Sequence, residues 1–204
     1  MNDEERINKF IELFEKAEKK YKPYTKRLAA EGWKADWMVL ISTIMSAQNR
    51  DERTIEIGEE LFKKYPSVES LAVARYEDVL NIFRSLNYNK TKAKHVVEAA
   101  RYISKNGIPD TIEGLLEIPG VGRKTANLVL SEVHQNPAIC VDTHVHRICN
   151  VFGIVNTKNP DDTERELKKI IPKEYWSSIN RYFVLWGQEI PGYDKDKLLE
   201  AFKS

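Results

Sequence analysis

Apolar residues recur three and four positions apart in nearly every segment of the chain, and no stretch of strict polar–apolar alternation competes with that period. Between Glu4 and Lys20, the positions Ile7, Phe10, Ile11, Phe14 and Ala17 form one stripe, as in a helix that buries a single face. A second helix is predicted from about Ala35. Its run Trp37-Met-Val-Leu-Ile-Ser-Thr-Ile-Met45 is apolar on all sides, as expected of a helix in the middle of a bundle, and its polar end, Ser46-Ala-Gln-Asn-Arg-Asp51, emerges at a surface. Further helices are predicted at about Arg53–Tyr65, Val68–Ala74, Tyr76–Ser85, Lys92–Asn106, Ile112–Glu117, Gly122–His134, Thr143–Phe152, Pro160–Ile171 and Tyr175–Gly187. Asn159 before Pro160 is an N-cap followed by proline at the first helical position, and Gly107 and Gly153 stand where C-caps belong. The only strand-like run, Ala138–Val141, is too short to build a sheet. The fold class expected is all-α.

At 204 residues and 42% hydrophobic content the chain can build one large domain or two small ones. It has no run of about 18 apolar residues, and its N-terminal MNDEERINKF is charged where a secretory signal is apolar, so a cytoplasmic protein without membrane contact is expected. The two cysteines, Cys140 and Cys149, are too few for a disulfide scaffold or for a four-cysteine metal or iron–sulfur site, and they read as small buried hydrophobes. A formal net charge of +1 carries no global mark of a nucleic-acid binder. The local pattern is different: between Arg84 and Lys105 stand Arg84, Lys90, Lys92, Lys94, Arg101 and Lys105 against the single acid Glu98. That run is either a phosphate-binding strip or an ordinary solvated helix face.

The segment around 112–130 reads as a short helix, a Pro119-Gly-Val-Gly122 turn and a second helix with its apolar face at Ala126, Val129, Leu130 and Val133. Gly120 and Gly122 allow a tight turn and the close approach of another molecule, and the turn directs N–H groups and the positive end of a helix dipole at one spot. Such a turn suits a DNA phosphate, and it also suits a plain helix–helix corner. Lys124 opens the second helix, and 18 positions later Asp142, within Val141-Asp-Thr-His144, opens the next. Alone, Asp142 reads as an N-cap and Lys124 as one solvated cation among 32. Together they supply an amine at a desolvated helix N-terminus and a carboxylate at another, a pair suited to attack on a sugar carbon.

On these residues the chain resembles the helix-hairpin-helix (HhH-GPD) DNA glycosylase superfamily, in its endonuclease III branch. The resemblance covers about residues 25–190. It is carried by Leu116-Glu-Ile-Pro-Gly-Val-Gly-Arg-Lys-Thr-Ala-Asn127 and Ala138-Ile-Cys-Val-Asp-Thr-His-Val-His-Arg147, with support from Met45-Ser-Ala-Gln-Asn-Arg-Asp-Glu-Arg53 and Leu185-Trp-Gly-Gln188. It implies two helical domains with a cleft between them, residues 34–134 carrying the hairpin and residues 1–33 plus 135–204 forming the second. It further implies a bifunctional DNA glycosylase/AP lyase of base-excision repair, acting on double-stranded DNA with a damaged base, an oxidised pyrimidine by the family pattern, or an abasic site. In that reading the damaged nucleotide is flipped out of the stack, Lys124 attacks the glycosidic carbon and forms a Schiff base, and β-elimination cleaves the strand, with Asp142 as the carboxylate partner. The DNA-contacting positions it implies are Gln48 as a polar wedge, Asn49, Tyr88, Asn89, Lys90, Gly120, Val121, Gly122, Arg123, Thr125 and His144. The backbone carbonyls of Leu116, Ile118 and Val121 would hold a monovalent or divalent cation against a DNA phosphate. His144 and His146, two apart, make a poor metal pair. A monomer that needs no cofactor is expected.

Two positions depart from the family pattern. Most members end in four cysteines that bind a [4Fe–4S] cluster, the first directly after Gly-Gln-x-Ile, where this chain has Pro191. No cluster is therefore expected, and Leu198, Leu199 and Phe202 of the tail are predicted to pack as a short helix in its place. The loop that usually reads Gly-(Leu/Phe)-Tyr, and that probes the strand opposite the lesion, has Asn87, Tyr88 and Asn89 here. Two other functions fit parts of the pattern: a monofunctional uracil/thymine mismatch glycosylase, against which Lys124 argues, and a non-catalytic helix-hairpin-helix DNA-binding protein, which needs the hairpin but not Asp142.

Overall fold

A computed structural model of the chain describes residues 1–203, all helix and loop, and none of these residues lies in a strand. They fall into two compact units, one of residues 26–136 and one in which residues 1–25 pack with residues 137–203.

The 26–136 unit contains α2 (Asp36–Ser46), α3 (Asp51–Lys64), α4 (Val68–Ala72), α5 (Tyr76–Ile82) with a 3-10 turn at Phe83–Ser85, α6 (Asn89–Asn106), α7 (Ile112–Leu116) and α8 (Arg123–Glu132). α2 is buried on every side from Leu40 to Met45, with Leu40, Ile41, Ile44 and Met45 in the core, while Asp36 is exposed and Trp37, Met38 and Val39 are half-buried, so the all-round burial predicted from Trp37 holds only for the second half of the helix. Its interior hydroxyls are satisfied within the helix: Ser42 and Thr43 both donate to the Val39 carbonyl. Around it lie the small and branched residues of α6 (Ala93, Val96, Val97, Ala100, Ile103) and Ala126, Val129 and Leu130 of α8. Trp33 and Trp37 meet the Phe62 ring edge-on at 4.8 and 5.1 Å.

α6 begins at Asn89, three residues before the predicted start, and its N-cap Tyr88 is left-handed at φ 57°. The early start turns Lys92 inward: it is 5% exposed and cannot belong to an outward basic strip. The predicted helix over 76–85 divides at Ile82, where the chain tightens into the 3-10 turn.

In the other unit, α1 (Asp3–Tyr21) starts from a capping box between Asn2 and Glu5. Its Phe10 and Phe14 pack edge-on against Tyr175, and Phe14 against Tyr182. α9 (Thr143–Val151), α10 (Pro160–Ile170) and α11 (Ile179–Glu189) complete the bundle, with a 3-10 turn at Lys173–Tyr175 ahead of α11. Residues 138–141 are buried but extended and unpaired in any sheet, and Asn180 donates to the Cys140 carbonyl. The tail forms α12 (Lys195–Glu200). Leu198 is fully buried, its carbonyl accepts from the Trp186 indole at 2.7 Å, and Phe202 meets the Trp186 ring at 4.7 Å. The predicted tail helix is thus present, and of the three predicted residues Leu198 and, just past its end, Phe202 dock it, while Leu199 is half-buried.

Because Leu198 has no exposed surface, Leu198→Ala should destabilise the chain by about 2–4 kcal/mol through lost burial and the cavity left behind. Denaturant unfolding followed by Trp fluorescence measures this. A cost under about 0.5 kcal/mol would mean that the tail is not part of the core.

Candidate DNA-repair site

The hairpin joins α7 to α8 through Pro119–Gly122. Gly120 has φ 82°, a left-handed conformation that disfavours side chains, and a Cβ there would come within 2.8 Å of the His95 Cβ. Glycine is thus required at 120 by the chain itself. Gly122 is not so constrained: its φ is −98° and nothing lies within 4 Å of where its Cβ would be. The open space at Gly122 leaves room for a group from another molecule. Gly122 is also the N-cap of α8 and offers no side chain to its first turn. Val121 is buried beneath the turn, and its N–H donates to the Ile118 carbonyl at 3.0 Å, occupying one of that oxygen's two lone pairs. Arg123 and Thr125 are half-exposed in the first turn of α8, and Lys124 between them is exposed rather than desolvated.

A second cluster lies where α2 ends and α6 begins. Gln48 and Tyr88 both have left-handed backbones, at φ 56° and 57°, and both side chains are exposed. Asn87 joins the two turns: its Nδ2 donates to the Gln48 carbonyl at 2.7 Å, and its N–H donates to Asn49 Oδ1 at 2.9 Å. Asn49 Nδ2 reaches the carbonyls of Met45 and Ala47, both at 3.1 Å, and so holds the turn with every polar atom of its side chain. Asn89 is tied into its own loop, donating to the Arg84 carbonyl and accepting from the Lys90 N–H. Lys92 donates to the Ala47 carbonyl at 2.5 Å. Burial pushes the Lys92 ammonium down to about 8.

Of the basic run, Lys90, Lys94 and Arg101 share one face of α6 and line a groove with Tyr76, Thr91 and His95. His95, whose ring lies against Gly120, links that groove to the hairpin. Arg101 also donates to the Ala72 carbonyl at 2.9 Å.

In the other unit, Asp142 is the N-cap of α9. It is 9% exposed, and its Oδ1 accepts from the N–H groups of His144 and Val145, both at 2.9 Å. The carboxylate is therefore held in one orientation at a positive helix end. His144 lies against Gly187, where any side chain would collide with its ring, which accounts for the glycine of Leu185-Trp-Gly-Gln188. Arg147 is buried, and its Nη2 donates to the carbonyls of Gly187 and Ile190. Both cysteines are buried, and burial raises the Cys149 thiol well above its ordinary value. Among the described residues no group of three or more His, Cys, Asp or Glu side chains is placed to hold a metal. Two buried cysteines do not supply the four thiolates that an iron–sulfur cluster needs.

Residues 41–173 match the HhH-GPD superfamily of base excision DNA repair proteins. The chain belongs to that family. It is 44% identical over 155 residues to endonuclease III of Thermotoga maritima, covering 74% of this chain and 73% of the relative. It is 31% identical to endonuclease III of Bacillus subtilis over 154 residues, 74% of this chain and 70% of that one. A solved structure of a trapped endonuclease III–DNA covalent intermediate superimposes with a TM-score of 0.82 at 26% identity, covering 93% of this chain and 87% of the other. A thermostable thymine-DNA glycosylase shares the fold, with a TM-score of 0.76 at 15% identity. This endonuclease III-like HhH-GPD protein is a base-excision repair glycosylase/AP lyase that binds DNA, and none of its helices is long and apolar enough to cross a membrane among the described residues.

Sequence reasoning singled out Gln48, Asn49, Tyr88 and Asn89 one by one but missed Asn87 and Lys92 as the residues that tie their turns together. For Lys92 a signal was present, since it stands four residues before Val96 and eight before Ala100, on the buried face of α6.

The buried ammonium predicts a pH dependence. The Lys92 amine gives up its proton near pH 8 in the folded chain and only near 10.5 in the unfolded chain, so between these values the unfolded state binds more protons and folding gains stability as pH rises. Relative to Lys92→Met, the wild type should gain about 1–2 kcal/mol between about pH 8 and 9.5. Urea unfolding of both proteins across that range measures it, and a constant difference would place the ammonium in water.

Proposed function

We propose that the chain excises oxidised pyrimidines from duplex DNA by a Schiff-base mechanism in which Lys124 is the nucleophile and Asp142 its carboxylate partner. The observation that carries this reading is the place of Lys124: exposed, second in α8, directly behind the Gly120–Gly122 turn, in a chain of the HhH-GPD family. The Lys124 amine attacks the glycosidic carbon of the extruded nucleotide, the bond to the base breaks, and the base leaves with the electron pair. The attached amine loses a proton and its lone pair opens the sugar ring, the C1′–O4′ bond breaking with its electron pair on the ring oxygen, which takes up a proton, to give the protonated Schiff base; removal of a proton from C2′ then breaks the C3′–O bond, and the 3′ phosphate leaves with that electron pair. Asp142 takes up or directs a proton and stabilises positive charge on the sugar. Its cap hydrogen bonds hold it ready for that role.

Gln48 fills the gap left by the extruded base, with Asn49, Tyr88 and Asn89 in the adjoining turns. The turn of Gly120, Val121 and Gly122, with Arg123, Thr125, Lys90 and His144, contacts the phosphate backbone. The carbonyls of Leu116, Ile118 and Val121 would hold a cation between the hairpin and a phosphate. The chain works without an iron–sulfur cluster, as a monomer in the cytoplasm.

Lys124→Gln should abolish borohydride trapping on an abasic-site duplex and strand cleavage, with DNA binding nearly unchanged. Undiminished lyase activity in that variant would sink the mechanism. Asp142→Asn keeps an Oδ1 that caps α9, so it should fold normally and lose at least about 100-fold in base removal; a wild-type rate would take Asp142 out of the chemistry.

Lys90→Ala with Lys94→Ala should weaken binding to damaged and undamaged duplex alike and flatten the salt dependence by roughly 0.9 per lost phosphate contact. An unchanged slope in fluorescence anisotropy titrations would place the DNA on another face.

A further inference from the structure

Among the described residues, two of the three non-glycine residues with left-handed backbones are Gln48 and Tyr88, and the same hydrogen-bond set holds both. Such a conformation costs each residue of order 1 kcal/mol or more and persists only where neighbouring groups enforce it. Here the enforcing groups are side chains. The carbonyls of Met45, Ala47 and Gln48, where the buried helix α2 runs out, accept from Asn49, Lys92 and Asn87. Asn87 acts on both turns, because its N–H is bound to Asn49 on the α2 side while its own position, next to Tyr88, sets the start of α6. The strained backbone does not serve bonding by the displayed side chains: neither Gln48 nor Tyr88 makes a side-chain hydrogen bond among the described residues, and Tyr88 is 64% exposed. A chain that bends two adjacent turns into strain, and leaves a polar and an aromatic side chain without partners, is built to present them outward.

We propose that Asn87 and Lys92 are positioning residues that fasten the Gln48 and Tyr88 turns into one rigid unit, so that the amide of Gln48 and the ring of Tyr88 enter the duplex together at the lesion. This rests on the proposed glycosylase reading and adds to it. Lys92 reaches the Ala47 carbonyl from the interior, and Asn87 closes the same turn from the solvent side. The ring of Tyr88 offers a stacking face to a base and no fixed set of hydrogen bonds, so the unit senses an unstacked site more than the identity of the base opposite. Without the fastening, each turn relaxes independently, and the two side chains arrive one at a time.

The test uses Asn87→Ala, an exposed loop change that leaves the core alone, with Lys92→Met as the second variant. Two readouts are separable. Fluorescence of 2-aminopurine placed beside an abasic site reports insertion without any chemistry, while single-turnover base removal and borohydride trapping report the reaction. Asn87→Ala should lower the insertion signal and slow single-turnover base removal by about tenfold, within the range that misplacing a positioned group costs, with the melting temperature and non-specific binding unchanged. In a Gln48→Ala/Tyr88→Ala background the same substitution should change nothing, because nothing remains to be positioned. A general structural role predicts equal losses in both backgrounds, and that result, or no loss of insertion in either variant, overturns the proposal. Absence of trapping by the wild type with insertion intact would instead overturn the glycosylase/lyase reading and leave the fastening standing.

Discussion

A helix buried on every side must end somewhere, and its last carbonyls need donors that the helix cannot supply. In this chain that helix is α2, and the turns at 46–49 and 87–89 of the 26–136 unit follow from how its end is satisfied. Ser46 begins the turn, the backbone swings through the left-handed Gln48, and donors arrive from Asn49, Asn87 and the buried Lys92. Since Lys92 belongs to α6, satisfying α2 fixes the axial position of α6. Seven residues beyond Tyr88, or about 10 Å along the helix, α6 places His95 against Gly120 of the hairpin. One helix therefore sets the two turns and the hairpin in a common frame, and a disturbance at the end of α2 reaches the hairpin through a rigid element.

The chain's own pattern makes the helical architecture readable because each helix either buries a stripe or, like the second half of α2, is buried all round. Caps are readable as well: Asn159 before Pro160, and Asp142 ahead of α9, both act as the residue types imply. Irregular backbone is harder to foresee. A left-handed tyrosine at 88 carries no glycine to announce it, so the sequence pattern places the start of α6 three residues late. That small displacement conceals the inward turn of Lys92, because a lysine is read as solvated unless its position on the helix is weighed above its charge. The 3-10 turns at 83–85 and 173–175 escape for a similar reason, since three apolar or charged residues fit several conformations equally well. For the site, the hairpin and the Lys124 and Asp142 pair could be named from spacing and family resemblance, whereas the bonds linking Asn87, Asn49 and Lys92 join residues 38 to 45 positions apart and leave no trace in local sequence.

The region after α11 is braced by contacts within the chain. Here Arg147 holds the carbonyls of Gly187 and Ile190, and Trp186 receives Leu198 and Phe202. Lys20 of α1 adds a hydrogen bond to the Ala201 carbonyl. The bracing comes from burial and hydrogen bonds.

The arrangement of the two units along the chain bears on the order in which they form. Residues 26–136 are continuous, so the helices packed most closely on α2 and α6 are at hand once that stretch has left the ribosome. α1 is less fortunate: the rings that cover Phe10 and Phe14 belong to Tyr175, Tyr182 and Phe183, more than 150 residues downstream. At ordinary rates of synthesis that is a delay of roughly ten to thirty seconds. During that time the apolar stripe of α1 is without its cover, and its eleven charged residues between Asp3 and Lys20, rather than any packing, must keep the nascent chain soluble.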